Sequence, residues 1–266
     1  MNGKMNGKME NPVEPEGIPG YIPGMRVHLF IPCLIDQFRP EAGEAALCVL
    51  ESLGLQVDYT PEQICCGQPF FTAGRLDASR RLARKTLSNF RDGQIVVAPS
   101  GSCVRMIRHH YGELFQGDPV WEKLAQELAG RVYELSEFLV RVLGCEDLGA
   151  SFPEKVTFHD SCQVRRGLGI FEEPRALLRR VKGLELVEMN RPGECCGFGG
   201  VFSARYPHIA EAIVLDKIQD AASTGAGIVS GCEISCLLHI ERHARATGAP
   251  IRTLHLAEIL ASGLGS

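Results

Sequence analysis

The chain has 266 residues and a formal net charge of −4. That length holds one or two domains with a sizeable core, and the charge gives no electrostatic footing for nucleic acid. No apolar run of about 18 residues or more occurs, which argues against a membrane-spanning helix. Eleven cysteines in a long chain without a signal-peptide pattern argue against a secreted disulfide framework and for a reducing, cytoplasmic setting.

Residues 1–24 read as a disordered tail. Met1-Asn2-Gly3-Lys4 repeats as Met5-Asn6-Gly7-Lys8, and a Pro/Gly/Glu-rich stretch runs on to Gly24. The stretch has no amphipathic period and little apolar content to bury. Val27–Ile31 is a short apolar strand ending at Pro32-Cys33. Helical spacing covers Glu41–Leu53 and stops at Gly54. Leu55–Tyr59 reads as a strand, Leu76–Phe90 as an amphipathic helix and Ile95–Ala98 as a strand. A helix is expected from Val104 onward. The order suggests a β/α unit with parallel strands.

The second half repeats the plan. Val156–His159 is a strand, Pro174–Val181 a helix, Leu184–Met189 a strand, Ile209–Ala222 a helix and Ile228–Ser230 a strand. Local matches support duplication. Val27–Cys33 aligns with Val156–Cys162, Ser102–Ile107 with Ser235–Ile240, and Tyr133–Leu139 with Leu254–Leu260. The expectation is an α/β protein of two homologous modules, 25–146 and 154–266, related by a pseudo-twofold axis. Ligands are then expected at strand ends and helix starts, where open α/β folds bind cofactors. Helix N-termini there favour anionic groups.

The cysteines follow the same duplication. Between Cys33 and the triplet Cys65-Cys66-Gly67 lie 31 residues, and between Cys162 and Cys195-Cys196-Gly197 lie 32. Downstream, Cys103 follows Cys66 after 36 residues, while Cys232 and Cys236 follow Cys196 after 35 and 39. Adjacent cysteines are poorly placed to bond to each other but can aim two thiolates at one soft metal centre. An iron–sulfur cluster needs about four thiolates converging from segments fixed by the fold. Gly67 and Gly197 leave backbone N–H groups close to the sulfurs, and Gly197–Phe202 lets the chain pass tightly around a cluster. Zinc is the structural alternative, although no Cys-x-x-Cys knuckle is present. A thiol/disulfide site at the vicinal pairs is the third reading. Local sequence makes Cys236 the partner of Cys103, whereas distance from the vicinal pair makes it Cys232, and both stay open. Met106 stands where a second downstream cysteine would complete the first module.

Other polar residues near these cysteines carry two readings each. His159, Asp160, Arg165 and Arg166 flank Cys162. They can bind a carboxylate or tune a cluster, or they can serve as strand-end packing and hydrogen bonding around the ligands. Arg179-Arg180 reads as a solvated helix end. Cys48 and Cys145 read as buried structural thiols. His109, His110, His239 and His243 read as surface or core histidines on helices. No flavin or nicotinamide fingerprint occurs.

The repeated Cys…Cys-Cys-Gly…Cys pattern resembles the cysteine-rich CCG domain family. The resemblance rests on Phe30–Asp36, Gln63–Pro69 and Pro99–Cys103, and in the second half on His159–Cys162, Glu194–Phe202 and Ser235–Ile240. It covers about 25–264. The family includes the B subunit of heterodisulfide reductase, the iron–sulfur subunit of glycolate oxidase and the A-type lactate utilization proteins, the last being the nearest match. The resemblance implies a non-autonomous oxidoreductase subunit, working by electron transfer, in a three-protein system that oxidises L-lactate to pyruvate. It implies a ferredoxin-type iron–sulfur partner, a third subunit, a small 2-hydroxy acid as substrate of the whole complex, and peripheral contact with a membrane only through partners. It also implies a cofactor of one or two [4Fe–4S] clusters, cubane or noncubane. The implied ligands are Cys33, Cys65, Cys66 and Cys103 in one site. In the other they are Cys162, Cys195, Cys196 and Cys236, with Cys232 as a further candidate. No catalytic residue is assigned.

Overall fold

The structure is a computed structural model and describes Ile22 and residues 24–264. The tail expected over 1–24 therefore lies, apart from Ile22 and Gly24, outside the described residues. Among the described residues, eight strands form two sheets. The first contains β1 (Arg26–Leu29), β2 (Gln56–Asp58), β3 (Ile95–Ala98) and β4 (Val132–Glu134). The second contains β5 (Lys155–Phe158), β6 (Glu185–Leu186), β7 (Ile228–Gly231) and β8 (Arg252–His255). The spatial orders are β2-β1-β3-β4 and β6-β5-β7-β8, the same order twice. Every pairing is parallel, with Val27 opposite Ile95 in one sheet and Val156 opposite Ile228 in the other.

Parallel strands need helical crossovers, and helices then cover both sheet faces. Val27 and Leu29 of β1, like Val156 and Phe158 of β5, are accordingly buried. The helices Pro40–Ser52, Leu76–Asn89 and Pro119–Ala129 supply the cover in the first module, and Glu172–Arg180, Pro207–Ser223 and Ile234–Thr247 in the second.

The modules pack reciprocally. Helix Cys33–Phe38 lies on helix Ile234–Thr247, and its counterpart Cys162–Leu168 lies on Gly101–Arg105. Helix Pro40–Ser52 lies on Leu256–Leu260, and its counterpart Glu172–Arg180 lies on Leu135–Glu137. An exchange of this kind, in which each contact has its mirror, is what a twofold-related pair of surfaces gives. One apolar cluster runs through both modules, joining Leu50, Leu53 and Leu139 to Val156, Leu177 and Leu256. Arg39 pairs with Glu241 and Arg141 with Glu173 across the same boundary.

Three details differ from the sequence reading. The strand expected over Leu184–Met189 shrinks to Glu185–Leu186, because Asn190 and Arg191 turn their N–H groups to the Asp220 carboxylate at 3.1 and 2.9 Å. The helix expected from Val104 begins at Gly101, capped by the Ser100 hydroxyl. The fourth strands, β4 and β8, have no counterpart in the sequence reading. Each has three or four residues, too few to show a period. Both run directly into short helices opened by capping boxes, Glu134 with Glu137 and His255 with Glu258. Those two boxes occupy the aligned segments Tyr133–Leu139 and Leu254–Leu260.

Candidate metal centre

Each quartet of cysteines is assembled at the C-terminal edge of its sheet. Cys33 and Cys162 are the first helical residues after β1 and β5. Cys103 and Cys236 lie in the first turn of the helices after β3 and β7. The vicinal pairs Cys65-Cys66 and Cys195-Cys196 sit on the loops that follow β2 and β6. These loops are pinned. Tyr111 Oη donates to the Cys66 carbonyl at 2.8 Å, and Lys217 Nζ donates to the Arg191 carbonyl at 2.5 Å.

All eight of these cysteines line one cavity of about 440 Å³ between the modules. Ser100, Ser102, Ser161, Gln163, Glu233 and Ser235 supply polar lining beside them. Cys232 does not reach the cavity. Its side chain is buried on the far side of the loop, with its sulfur 3.9 Å from Ser136 Oγ. Cys145 is buried in the shared apolar cluster, and Cys48 is half-buried on helix Pro40–Ser52.

The thiols within each quartet touch, and their charges compete. Hydrogen bonds from the Cys33 and Cys66 thiols, with the Gly67 N–H, pull Cys65 down to about 3. Cys65 and burial push Cys33 well above the usual thiol range, and Cys103, then Cys65 and burial, push Cys66 up likewise. In the second quartet Cys195 is pulled down by Cys162 and Cys196, while Cys162 and Cys196 are pushed up. Buried thiols crowded in this way cannot all ionise unless a cation shares the site. Four thiolate donors per quartet fit an iron–sulfur cluster or a tetrahedral metal ion.

Two glycines make the quartets possible. Gly67 and Gly197 have φ of +86° and +85°, a region that favours glycine. A Cβ on Gly197 would stand 2.4 Å from the Ala210 carbonyl oxygen. Both glycines direct backbone N–H groups at sulfur, Gly67 to Cys65 Sγ at 3.5 Å and Gly197 to Cys195 Sγ at 3.3 Å.

The surroundings of the second quartet are more polar. His159 is 1% exposed, and a ring nitrogen lies within 4.8 Å of both the Cys196 and the Cys236 sulfurs. Ser161 Oγ is 3.8 Å from Cys236 Sγ, and Arg166 reaches the Cys162 sulfur. Asp160 holds this region together. Its carboxylate takes Arg175 Nη1 at 2.8 Å and Arg165 Nη1 at 3.0 Å. Arg175 also grips Glu188 with two hydrogen bonds, and both guanidinium groups lie over the Phe171 ring. Asp160 and Arg165 are therefore bound to the protein rather than turned to the cavity. Of the other histidines, His239 and His243 meet edge to face, and His110 pairs with Glu113.

Three residues to which the sequence assigned no role matter here. Ser100 and Ser161 cap the cysteine-bearing helices, and a serine just before a helix is the signal that could have found them. Glu233 has no such signal, because its partners Ser100 and Ser102 lie more than a hundred residues away in sequence.

A duplicated parallel α/β module with a Cys-Cys-Gly triplet at each of two facing cysteine quartets defines the class. The chain belongs to the CCG cysteine-rich domain family, which matches residues 27–108 and again 156–241. Among its relatives, a lactate utilization protein A from Bacillus velezensis is 43% identical over 238 residues, covering 90% of this chain and 100% of that protein. A lactate utilization protein A from Bacillus subtilis is 41% identical over the same shares. Among solved structures, a hypothetical protein from Helicobacter pylori aligns with a TM-score of 0.57 at 14% identity. That match covers 92% of this chain and 50% of the other, so this chain spans half its length, and the likeness is one of fold. Among the described residues, no helix is long and apolar enough to cross a membrane.

Proposed function

We propose that the chain is the iron–sulfur subunit of a multi-protein system that oxidises L-lactate to pyruvate, handling electrons at cysteine-held clusters. The observation that carries this reading is the meeting of two cysteine quartets in one cavity between duplicated modules. Cys33, Cys65, Cys66 and Cys103 hold one cluster, and Cys162, Cys195, Cys196 and Cys236 hold the other. Cys232 is outside the ligand set, since its side chain points away from the cavity. The modules are 25–146 and 154–266. The choice of lactate rests on the names of relatives that match nearly the whole chain.

A cluster in each quartet supplies one-electron storage and release. The protein's own part is to fix the sulfurs, exclude bulk water and orient N–H donors. Lactate oxidation releases two electrons and two protons, so a further acceptor is required. A ferredoxin-type iron–sulfur partner meets that need, with a third subunit completing the system in the cytoplasm.

The test is anaerobic purification with iron and acid-labile sulfide analysis, followed by electron paramagnetic resonance of the reduced protein. The expected result is about four irons and four sulfides per quartet and a signal that appears on reduction. Stoichiometric zinc, or no iron after anaerobic reconstitution, overturns the reading.

A further inference from the structure

The internal duplication allows the two quartets to be compared residue by residue. Phe30 and His159 are structural counterparts. Each directly follows the central strand of its sheet and stands three residues before the first cysteine of its quartet. Each donates its backbone N–H to the neighbouring strand, Phe30 to the Val97 carbonyl at 2.9 Å and His159 to the Ser230 carbonyl at 2.8 Å. The side chains differ in kind. Phe30 is fully buried in an apolar cluster with Cys66 and Cys103. His159 is just as deeply buried beside Cys196 and Cys236, and neither of its ring nitrogens has a hydrogen-bond partner among the described residues.

A buried imidazole with both nitrogens unmatched carries the desolvation cost of two polar groups. That cost calls for a partner the bare protein does not supply. The groups it faces are sulfurs, and a neutral imidazole always keeps one N–H to donate. Two other substitutions run the same way. Pro32 in the first module is replaced by Ser161, whose hydroxyl faces Cys236. Gln37 is replaced by Arg166, which reaches Cys162. The glycine N–H donors are common to both quartets, so they do not distinguish them. Glu233 lines the shared cavity, and its carboxylate is taken up by hydrogen bonds from Ser100, Ser102 and Ser235 rather than by the sulfurs.

We propose that the two quartets are electronically unequal and that His159, by donating a ring N–H to the sulfurs of the second quartet, makes the second the higher-potential site. Hydrogen bonds to cluster sulfurs stabilise the more negative, reduced state. One electron shared between the sites then rests on the second, leaving the first oxidised. His159 acts through the sulfurs as a tuning and positioning residue. This rests on the cluster reading above.

The experiment is a dithionite titration of the anaerobically prepared protein, followed by electron paramagnetic resonance, in wild type, His159→Phe and His159→Gln. Phe is the residue the first module itself carries at this place. Gln keeps an N–H donor and guards against a simple packing effect. Two unequal midpoints are expected in wild type. His159→Phe should lower the higher one so that the reduced-to-oxidised ratio at the wild-type midpoint falls about tenfold, equivalent to about 59 mV for one electron. His159→Gln should restore most of it, and the first-site midpoint should stay in place in both. Full iron content with both midpoints unmoved in His159→Phe, or a shift upward, overturns this inference while leaving the cluster reading intact. Absence of iron from the reconstituted wild type overturns the cluster reading and this inference with it.

Discussion

Glu233 Oε2 accepts the backbone N–H of Ser102 at 2.8 Å, across the boundary between the modules. The same oxygen accepts the Ser100 hydroxyl at 3.1 Å, and Ser235 Oγ donates to Oε1 at 3.0 Å. A carboxylate at the start of the helix bearing Cys236 thus caps the helix bearing Cys103. The two quartets are tied together by one buried side chain.

Removing that side chain should therefore disturb both sites. Glu233→Ala leaves three donors unmatched in a buried place, a loss of about 1–3 kcal/mol. Glu233→Gln keeps an oxygen acceptor and should lose less. Denaturant midpoints of the three proteins check the order. Iron analysis should show the first quartet depleted along with the second in the Ala variant. Loss confined to the second quartet would rule out the bridging role.

The vicinal glycines give a sharper comparison. Gly197→Ala places a Cβ 2.4 Å from the Ala210 carbonyl oxygen, whereas Gly67→Ala places one 3.2 Å from Ser79. Both residues have positive φ, so each substitution carries backbone strain of about 1 kcal/mol or more. At Gly197 a neighbouring backbone must move well aside, whereas at Gly67 the Ser79 backbone need give only a few tenths of an ångström. Thermal unfolding should rank Gly197→Ala below Gly67→Ala, and Gly197→Ala should lose iron from the second quartet first. Equal destabilisation would show that the Ala210 contact yields easily.

Much of this architecture is written in the sequence. The β/α alternation, the two modules and eight converging cysteines follow from apolar runs and from the spacing of Cys33, Cys65, Cys66 and Cys103 and of their counterparts. What the sequence hides is of two kinds. β4 and β8 are too short to carry a period, and only their alignment hints at them. Long-range partners are hidden as well. Nothing near Glu233 marks it as a cap for Ser102, and nothing near Asp160 announces Arg175 and Glu188. The choice between Cys232 and Cys236 is also a matter of direction. Cys232 ends up behind the loop beside Ser136 because β7 runs on to Gly231, and Cys236 faces the cavity because it lies one helical turn further on.

That difference predicts a clean separation. Cys236→Ser should remove iron from the second quartet, about half of the total if each site holds one cluster. Cys232→Ala should leave the iron content unchanged. Its effect should be confined to stability, at about 1 kcal/mol for the small buried group removed. Iron lost from Cys232→Ala while its unfolding midpoint stays within that range would place Cys232 among the ligands.

The two capping boxes make opposite demands on pH. His255 is fully buried, and burial brings its ring from 6.5 down to about 4. Its Nδ1 accepts the Ala257 N–H at 3.1 Å, which a proton would prevent. The unfolded chain binds a proton near 6.5 and the folded chain only near 4. The stability due to neutral His255 is therefore complete above 6.5 and is lost as pH falls toward 4. Glu134, at the equivalent place in the first module, is pushed by burial from 4.5 up to about 7. Its folded form holds a proton that the unfolded chain gives up, so its contribution is complete below 4.5 and is lost as pH rises through 7. Between about 4.5 and 6.5 the two slopes oppose each other, and this pair leaves stability nearly flat. Glu134→Gln should expose the histidine slope, so that stability rises with pH relative to wild type. His255→Asn, which keeps a capping acceptor, should expose the carboxyl slope, so that stability falls. Each relative change should be on the order of 3 kcal/mol across the window. Denaturant unfolding of the three proteins between pH 4.5 and 7 measures both slopes. Parallel curves for all three would show that neither group keeps its shifted protonation in the fold.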